Sequence, residues 1–283
     1  MLESMTGKPL IPMVDLVRHY REFKSVRAGG RFEVGNYHSQ KSRLRLADSY
    51  LADPSPLIDM FRESVSQFRE YSNPDESFVG EKRSEPSTVS AVEQITTGPK
   101  AAAYLARNQR HLSIENLGEY EYVDREVVPA RTTNKKAAAM ANRFDDTNRS
   151  RSTTAMKADI LLRSLSGNRP TIGEIKVSSR GGDDADPVYG LVQSLALASQ
   201  LVGNRQRVRL NNHYPFVFAA DSPVDIVILL FEMHESAATN RKSLVLAARN
   251  LCQALNEGAL LPYVGRVALV IAAPNAGRLD FTA

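Results

Sequence analysis

The sequence predicts an α/β fold in which a central mixed β-sheet is flanked by helices, with an N-terminal accessory region that is mainly helical. Short runs rich in Val, Ile and Leu alternate with longer helical runs in the second part of the chain. Strands separated by helices in this way favour a sheet that is covered on both faces. Two other strand-like runs are joined by a Gly-Asn turn, which is typical of an antiparallel hairpin.

Length and composition fit one large globular domain or two small ones. The chain has 283 residues, of which 42% are hydrophobic and 24% charged, as in ordinary folded proteins. Its single cysteine, Cys252, excludes an internal disulfide and any all-cysteine metal site, and it lies in a helical pattern typical of a small core residue. The net charge of +4 permits a nucleic-acid partner without requiring one.

The sequence shows no secretory signal and no membrane span. Its N-terminus lacks a basic segment followed by an apolar one. No apolar run approaches the roughly 20 residues that cross a bilayer. We therefore expect a soluble, cytoplasmic protein without a membrane partner, either alone or as a homo-oligomer or with a partner protein.

The accessory region is expected to cover residues 1–85. Apolar side chains recur at helical spacing in residues 11–26 and again in residues 57–68. Between these runs the sequence is turn-rich and basic. Residues 71–87 have the Pro, Ser and charge content of a linker or an exposed loop. The boundary is therefore placed near residue 85, which leaves residues 86–283 as the main domain.

The main domain is predicted to begin with a helix, a strand and a basic connection. The helix covers "PKAAAYLARNQR", with Pro99 near its first turn, and the strand covers "EYEYVDREVV". The connection, residues 131–154, carries six basic residues against two acidic ones. This positive bias suits contact with a phosphate backbone.

A hairpin and a helix are predicted next. The strand-like runs "MKADILLRSL" and "TIGEIKVSS" are joined by "SGNR". The helix "DPVYGLVQSLALASQLV" has Asp186 as its expected N-cap and Pro187 in its first turn. The last predicted elements are the strand "VDIVILLFE", a helix that ends at Gly258 and the strand "GRVALVIAAP".

The run "TIGEIKV" is unusual because an otherwise apolar strand carries both Glu174 and Lys176. Side chains alternate faces along a strand, so these two project to the same side. With the turn centred between Gly167 and Asn168, Asp159 lies opposite Lys176 and diagonal to Glu174. A register error of two residues keeps the three side chains together, whereas an error of one residue separates them.

The cluster of Asp159, Glu174 and Lys176 predicts metal-assisted chemistry in a cleft at the edge of the sheet. Three buried charges are costly if they are only structural, because an ion pair rarely regains the free energy lost on desolvation. Two carboxylates supply the hard oxygen ligands that suit Mg²⁺ or Mn²⁺. A lysine beside them can orient water or neutralise charge on phosphorus. The alternative is a charge ladder on an exposed hairpin.

An Asp on one strand, a turn, Glu-x-Lys on the next strand and a glutamine on the following helix resemble the PD-(D/E)xK nuclease superfamily. The resemblance covers about residues 87–272 and implies a restriction-endonuclease-like sheet. It implies that Asp159 and Glu174 hold the metal and that Lys176 serves the hydrolytic water. Gln193 resembles the helical glutamine that some of these families carry near the metal.

Two features depart from the motif of that superfamily. Ala158 stands where a proline often precedes the aspartate. The acid that these families often carry upstream, on the first helix, is not identifiable here, and Glu93 and Glu115 are its candidates. The resemblance therefore leaves a further metal ligand open.

The resemblance implies a Mg²⁺- or Mn²⁺-dependent nuclease that acts on nucleic acid, with DNA favoured over RNA only by the family. One alternative is a non-catalytic nucleic-acid-binding or assembly module that retains the fold. Another is a hydrolase that uses the carboxylates on a different phosphorylated substrate. Arg205, Arg207 and Arg209 alternate along the chain, which predicts either a basic strand facing a phosphate backbone or a solvated edge. With residues 131–151 they are expected to flank one groove that leads to the metal site.

Overall fold

The strands form a closed barrel, so the prediction of an open, restriction-endonuclease-like sheet is wrong. A computed structural model describes residues 16–17, 40–69, 89–129, 156–178, 186–233 and 239–283. Within them, seven strands follow one another around the barrel in chain order. The mixed character of the predicted sheet is retained, since the barrel contains both parallel and antiparallel neighbours.

The described helices and strands have the following bounds. The helices are α1 (Gln40–Ala52), α2 (Ser55–Arg69), α3 (Gly98–Asn108), α4 (Pro187–Leu201), α5 (Asn204–His213) and α6 (Thr239–Leu255), with a short 3₁₀ helix at Val92–Gln94. The strands are β1 (His111–Glu115), β2 (Gly118–Val127), β3 (Ala158–Ser164), β4 (Arg169–Val177), β5 (Val224–Phe231), β6 (Val264–Asn275) and β7 (Arg278–Thr282).

Closure of the barrel depends on two short strands that the sequence patterns did not predict. The pairs β1–β2, β2–β3, β3–β4 and β6–β7 are antiparallel, and β4–β5–β6 are parallel. The parallel pairing of β1 with β7 joins the two ends, with Ile114 opposite Phe281. Each of these strands has only five residues, of which two are buried. Such short alternations carry too little pattern to be separated from the turns beside them.

The strands between these two ends were predicted and are confirmed as β2 to β6. Every residue of β5 is buried, as expected for a strand covered on both faces. One face of the strands shares an apolar cluster with α3, and the other face shares a second cluster with α4 and α6. Ile172 faces the second cluster, and alternation places Glu174 and Lys176 on that face, toward α4.

Helices from the predicted accessory region pack onto the same apolar core as the barrel. The expected helix in residues 57–68 is confirmed as α2, which packs against α4. Helix α1 packs against α6, although its sequence was predicted to be turn-rich. Most of the helix expected in residues 11–26, and the linker in residues 71–87, lie outside the described residues.

Two further expectations concern chemistry and membranes. Cys252 is buried in α6, and burial raises the pKa of its thiol to about 12, so it is a core residue rather than a nucleophile. Among the described helices, none combines the length and the apolar character needed to cross a bilayer.

Candidate functional site

The β3–β4 hairpin has a longer turn than the sequence pattern predicted. Residues 165–168 form a four-residue loop, rather than a two-residue turn centred on Gly167 and Asn168. Both of these residues have a positive φ, of 97° and 51°, so the pattern identified the left-handed positions correctly but not the loop length. Because the loop centre lies one residue earlier in the chain, the register shifts by two residues.

The shifted register keeps the three predicted charges on one face. Ile160 pairs with Gly173, and the same register extended by one residue brings Asp159 beside Glu174 instead of Lys176. The strands part at this point, and Asp159 Oδ2 accepts a hydrogen bond from the backbone N–H of Ile175 at 2.8 Å. The carboxyl group of Asp159 thus takes the place of a backbone acceptor at the end of the β3–β4 pairing.

Lys176 lies between the carboxylate of Glu174 and helix α4. Its Nζ donates hydrogen bonds to Glu174 Oε1 at 2.6 Å and to Gln193 Oε1 at 3.2 Å. The same ammonium lies 4.7 Å from the centroid of the Tyr189 ring, within range of a cation–π interaction. Glu174, Lys176 and Gln193 are only 2%, 7% and 6% exposed. These groups are therefore buried behind the partly exposed Asp159, rather than placed at the rim of an open cleft.

Helix α4 supplies the other wall of the lysine site through its first turns. Asp186 caps the helix, as expected, because its Oδ1 accepts a hydrogen bond from Tyr189 N at 3.0 Å. Tyr189, Gly190 and Gln193 lie on one side of the helix, at spacings of three and four residues. A Cβ atom on Gly190 would lie 3.2 Å from Lys176 Cε, so glycine allows the lysine stem to pass close to the helix.

Burial disfavours the charged forms of both carboxyl groups of the acidic pair. The pKa of Glu174 is raised well above its usual range, mainly by burial and next by the charge of Asp159, and the ammonium of Lys176 acts against this rise. Burial likewise raises the pKa of Asp159. Glu174 Oε2 is buried and has no hydrogen-bond donor among the described residues, and the neighbouring Asp159 carboxyl group can bond to Glu174 only when one of the two holds a proton. These carboxyl groups therefore suit an additional cation, such as Mg²⁺ or Mn²⁺, or a proton.

Neither candidate for the unidentified upstream acid forms a metal-binding group with Asp159 and Glu174 among the described residues. Glu93 is exposed on the 3₁₀ helix, where its charge acts on Tyr104, and Glu115 is exposed at the closure of the barrel, opposite Thr282. In the part of the chain that the structure describes, no three His, Cys, Asp or Glu side chains form a group arranged to hold a metal ion. Two carboxylates are therefore the acidic ligands that these residues offer.

Glu126 is a nearby acid that the sequence analysis missed. On β2 it falls between two pairs, Arg125 with Ile160 and Val127 with Ala158, so it lies across from Asp159. Its charge raises the pKa of Asp159, and its own φ is 50°, a left-handed conformation within a strand. No local sequence pattern marks this position, because the contact depends on the register of β2 with β3.

The arginines of residues 205–209 lie on helix α5, not on a basic strand. Arg207 and Arg209 are buried, and they donate hydrogen bonds to the carbonyl oxygens of Ala219 at 2.9 Å and Pro129 at 3.4 Å. Arg205 alone of the three is exposed. The prediction that they line a phosphate groove is therefore wrong for the two buried arginines, and residues 131–151 lie outside the described residues.

A comparison of the chain with protein-family models, curated proteins and solved structures found no match. The resemblance to PD-(D/E)xK nucleases therefore depends on the four residues of the motif and on their arrangement. The chemistry of Asp159, Glu174, Lys176 and Gln193 is what indicates a function.

Proposed function

We propose that this protein is a metal-dependent nuclease that hydrolyses phosphodiester bonds, with DNA as its substrate. The observation that supports the proposal most is the buried pair formed by Glu174 and Lys176 beside Asp159, with no hydrogen-bond donor to Glu174 Oε2 among the described residues. The two carboxyl groups suit a divalent cation. The positioned ammonium beside them suits the negative charge of a phosphoryl group. The preference for DNA comes from the motif resemblance alone.

Each residue of the site has a distinct role in this proposal. Asp159 and Glu174 would hold Mg²⁺ or Mn²⁺, which when bound polarises the phosphate and lowers the pKa of water. Lys176 orients the attacking water or offsets charge that develops on phosphorus. Gln193 and Tyr189 also contact the ammonium, so the position of Lys176 would not depend on Glu174 alone if that carboxylate held a cation.

The closed barrel limits the direction from which a substrate can reach these groups. Asp159 is partly exposed, whereas Glu174 and Lys176 are buried beneath it. A phosphodiester would therefore approach from the side of Asp159, near the first residue of α3. A Cβ on Gly98 would lie 3.8 Å from Asp159 Oδ2, which is ordinary contact, so this approach does not require a glycine there.

The proposal is tested with the purified protein on linear, circular and single-stranded DNA and on RNA. We expect cleavage of DNA in Mg²⁺ or Mn²⁺ and none in EDTA. The pattern of products from linear and circular DNA separates endonuclease from exonuclease activity. A protein that binds nucleic acid but cuts none of these substrates in either metal contradicts the proposal.

The burial of the Glu174–Lys176 ion pair also favours a second candidate, the non-catalytic nucleic-acid-binding or assembly module. In that case the lysine serves as a permanent counter-charge, and the pair is part of the core. The two candidates differ in their response to metal. A nuclease should show a higher melting temperature in Mg²⁺ or Mn²⁺ than in EDTA, because a cation that binds only the folded state stabilises it. A structural pair should show no such shift.

Gly190→Ala is expected to lower cleavage about tenfold while reducing the free energy of unfolding by only about 1–2 kcal/mol. The added Cβ would lie 3.1 Å from Ile228 Cγ2 and 3.2 Å from Lys176 Cε. Because Ile228 belongs to the packed core, the lysine stem is the group that moves. Cleavage rates and denaturant titrations of the variant and the wild type measure the two effects.

The matched control for Gly190→Ala is Gly98→Ala. Gly98 is also helical and also borders the site, but its Cβ would meet its neighbours at 3.7 Å or more, which is ordinary contact. We expect Gly98→Ala to keep cleavage within about threefold of the wild type. Equal loss in both variants would show that crowding of Lys176 is not the cause.

A further inference from the structure

A second buried ion pair joins the candidate site to the N-terminal helices. Arg43, on α1, forms an ion pair through its Nε with Asp186 Oδ2, without hydrogen-bond geometry between these two atoms. The two residues are 5% and 2% exposed, so this contact is enclosed by protein. Since Arg43 is separated from Asp186 by more than 140 residues of sequence, the pair fixes α1 against the start of α4.

Asp186 also holds the first turn of α4, which lies beside Lys176. Its Oδ1 accepts from Tyr189 N at 3.0 Å, and its backbone oxygen accepts from Gly190 N at 3.1 Å. Tyr189 and Gly190 both contact Lys176, and Gln193 follows one turn later. The orientation of the first turn of α4 therefore determines where the ammonium of Lys176 can lie.

The charge of Asp186 also acts on Lys176. Burial raises the pKa of Asp186, and the charges of Arg43 and Lys176 act against this rise. Without Arg43, the carboxylate of Asp186 would be left in the interior with Lys176 as the next cation acting on it. Asp186 would then compete with Glu174 for the same ammonium. A buried pair of this kind adds little net stability, so its effect on geometry is the more informative one.

We propose that Arg43 is a positioning residue of the site, which holds Asp186 and the first turn of α4 so that Lys176 stays with Glu174 and Gln193. This proposal rests on the proposed nuclease function. It makes the N-terminal helices part of the site, rather than a separate accessory module. Arg43 is not one of the reacting groups, and its effect on Lys176 passes through Asp186.

The experiment uses three test variants, which are Arg43→Met, Asp186→Asn and the double variant that combines these two changes. Ser64→Ala is the control. Ser64 is a control at a different contact between the N-terminal helices and α4, where its Oγ lies 2.6 Å from Ser199 Oγ in the core. We expect Arg43→Met to lower kcat about tenfold or more, with KM for DNA unchanged. The double variant should have a kcat within about twofold of Arg43→Met, because both changes break one contact. Ser64→Ala should keep the wild-type kcat.

Rescue and amide exchange complete the test. Arg43→Lys, which retains the charge, should recover part of the lost kcat. Hydrogen exchange at the amides of Tyr189 and Gly190 should accelerate about tenfold or more in Arg43→Met and stay unchanged in Ser64→Ala.

Three results would overturn the positioning role of Arg43. The first is a wild-type kcat in Arg43→Met, the second is a double variant whose losses multiply, and the third is unchanged amide exchange at the start of α4. A wild type that cuts no nucleic acid contradicts the proposed function instead. In that case the exchange measurement still decides whether Arg43 anchors α4.

Discussion

Lys176→Met is expected to lower metal-dependent cleavage by about 10²- to 10³-fold while Mg²⁺ binding becomes tighter. The variant retains both carboxylates but removes the ammonium that lies 2.6 Å from Glu174 Oε1. Two unit charges 4 Å apart interact by about 4 kcal/mol at the effective dielectric constant near a protein surface. Removing the repulsion between Lys176 and Mg²⁺ should therefore raise the Mg²⁺ affinity roughly tenfold, or by about 1.4 kcal/mol, which is only part of that interaction. Single-turnover cleavage and calorimetric titration with Mg²⁺ measure the two effects.

The control for this substitution is Lys157→Met. Lys157 lies just before β3 and two residues before Asp159, but its side chain is exposed. Its Nζ lies 3.9 Å from Glu126 Oε2. An exposed pair of this kind contributes little, so cleavage and metal affinity should remain close to those of the wild type. Cleavage by Lys176→Met at the rate of Lys157→Met would remove the lysine from the chemistry and favour the structural pair.

The grouping of Asp159, Glu174 and Lys176 could be predicted because it depends only on the parity of two strands. The predicted hairpin register was wrong by two residues, yet an even error leaves each side chain on its original face. Gln193 was placed near them by the motif resemblance, whereas the apolar pattern predicted only its helix, and α4 covers that face. These are short-range relationships within residues 158–201.

The remaining contacts depend on distances in the fold that no local pattern encodes. The barrel closes through two five-residue strands at opposite ends of the main domain. Glu126 reaches Asp159 only through the register of β2 with β3. Arg43 lies on a helix whose sequence reads as turn-rich and basic, and its contact with Asp186 depends on how α1 packs. Each of them requires the tertiary arrangement.

Glu174→Ala is expected to abolish cleavage, by about 10³-fold or more, and to weaken Mg²⁺ binding, because one of the two acidic ligands is lost. It should also destabilise the metal-free protein by about 3–5 kcal/mol, since Lys176 would keep a buried charge without its main partner.

Glu174→Gln is the matched variant, because its amide oxygen can still accept from Lys176 while the negative charge is removed. We expect Glu174→Gln to lose cleavage equally but to be destabilised by only about 1–2 kcal/mol. Cleavage assays, Mg²⁺ titrations and denaturant unfolding of both variants separate the catalytic role from the structural one. Wild-type cleavage by Glu174→Gln would exclude Glu174 as a metal ligand, because a neutral amide is a much weaker ligand than a carboxylate for Mg²⁺ or Mn²⁺.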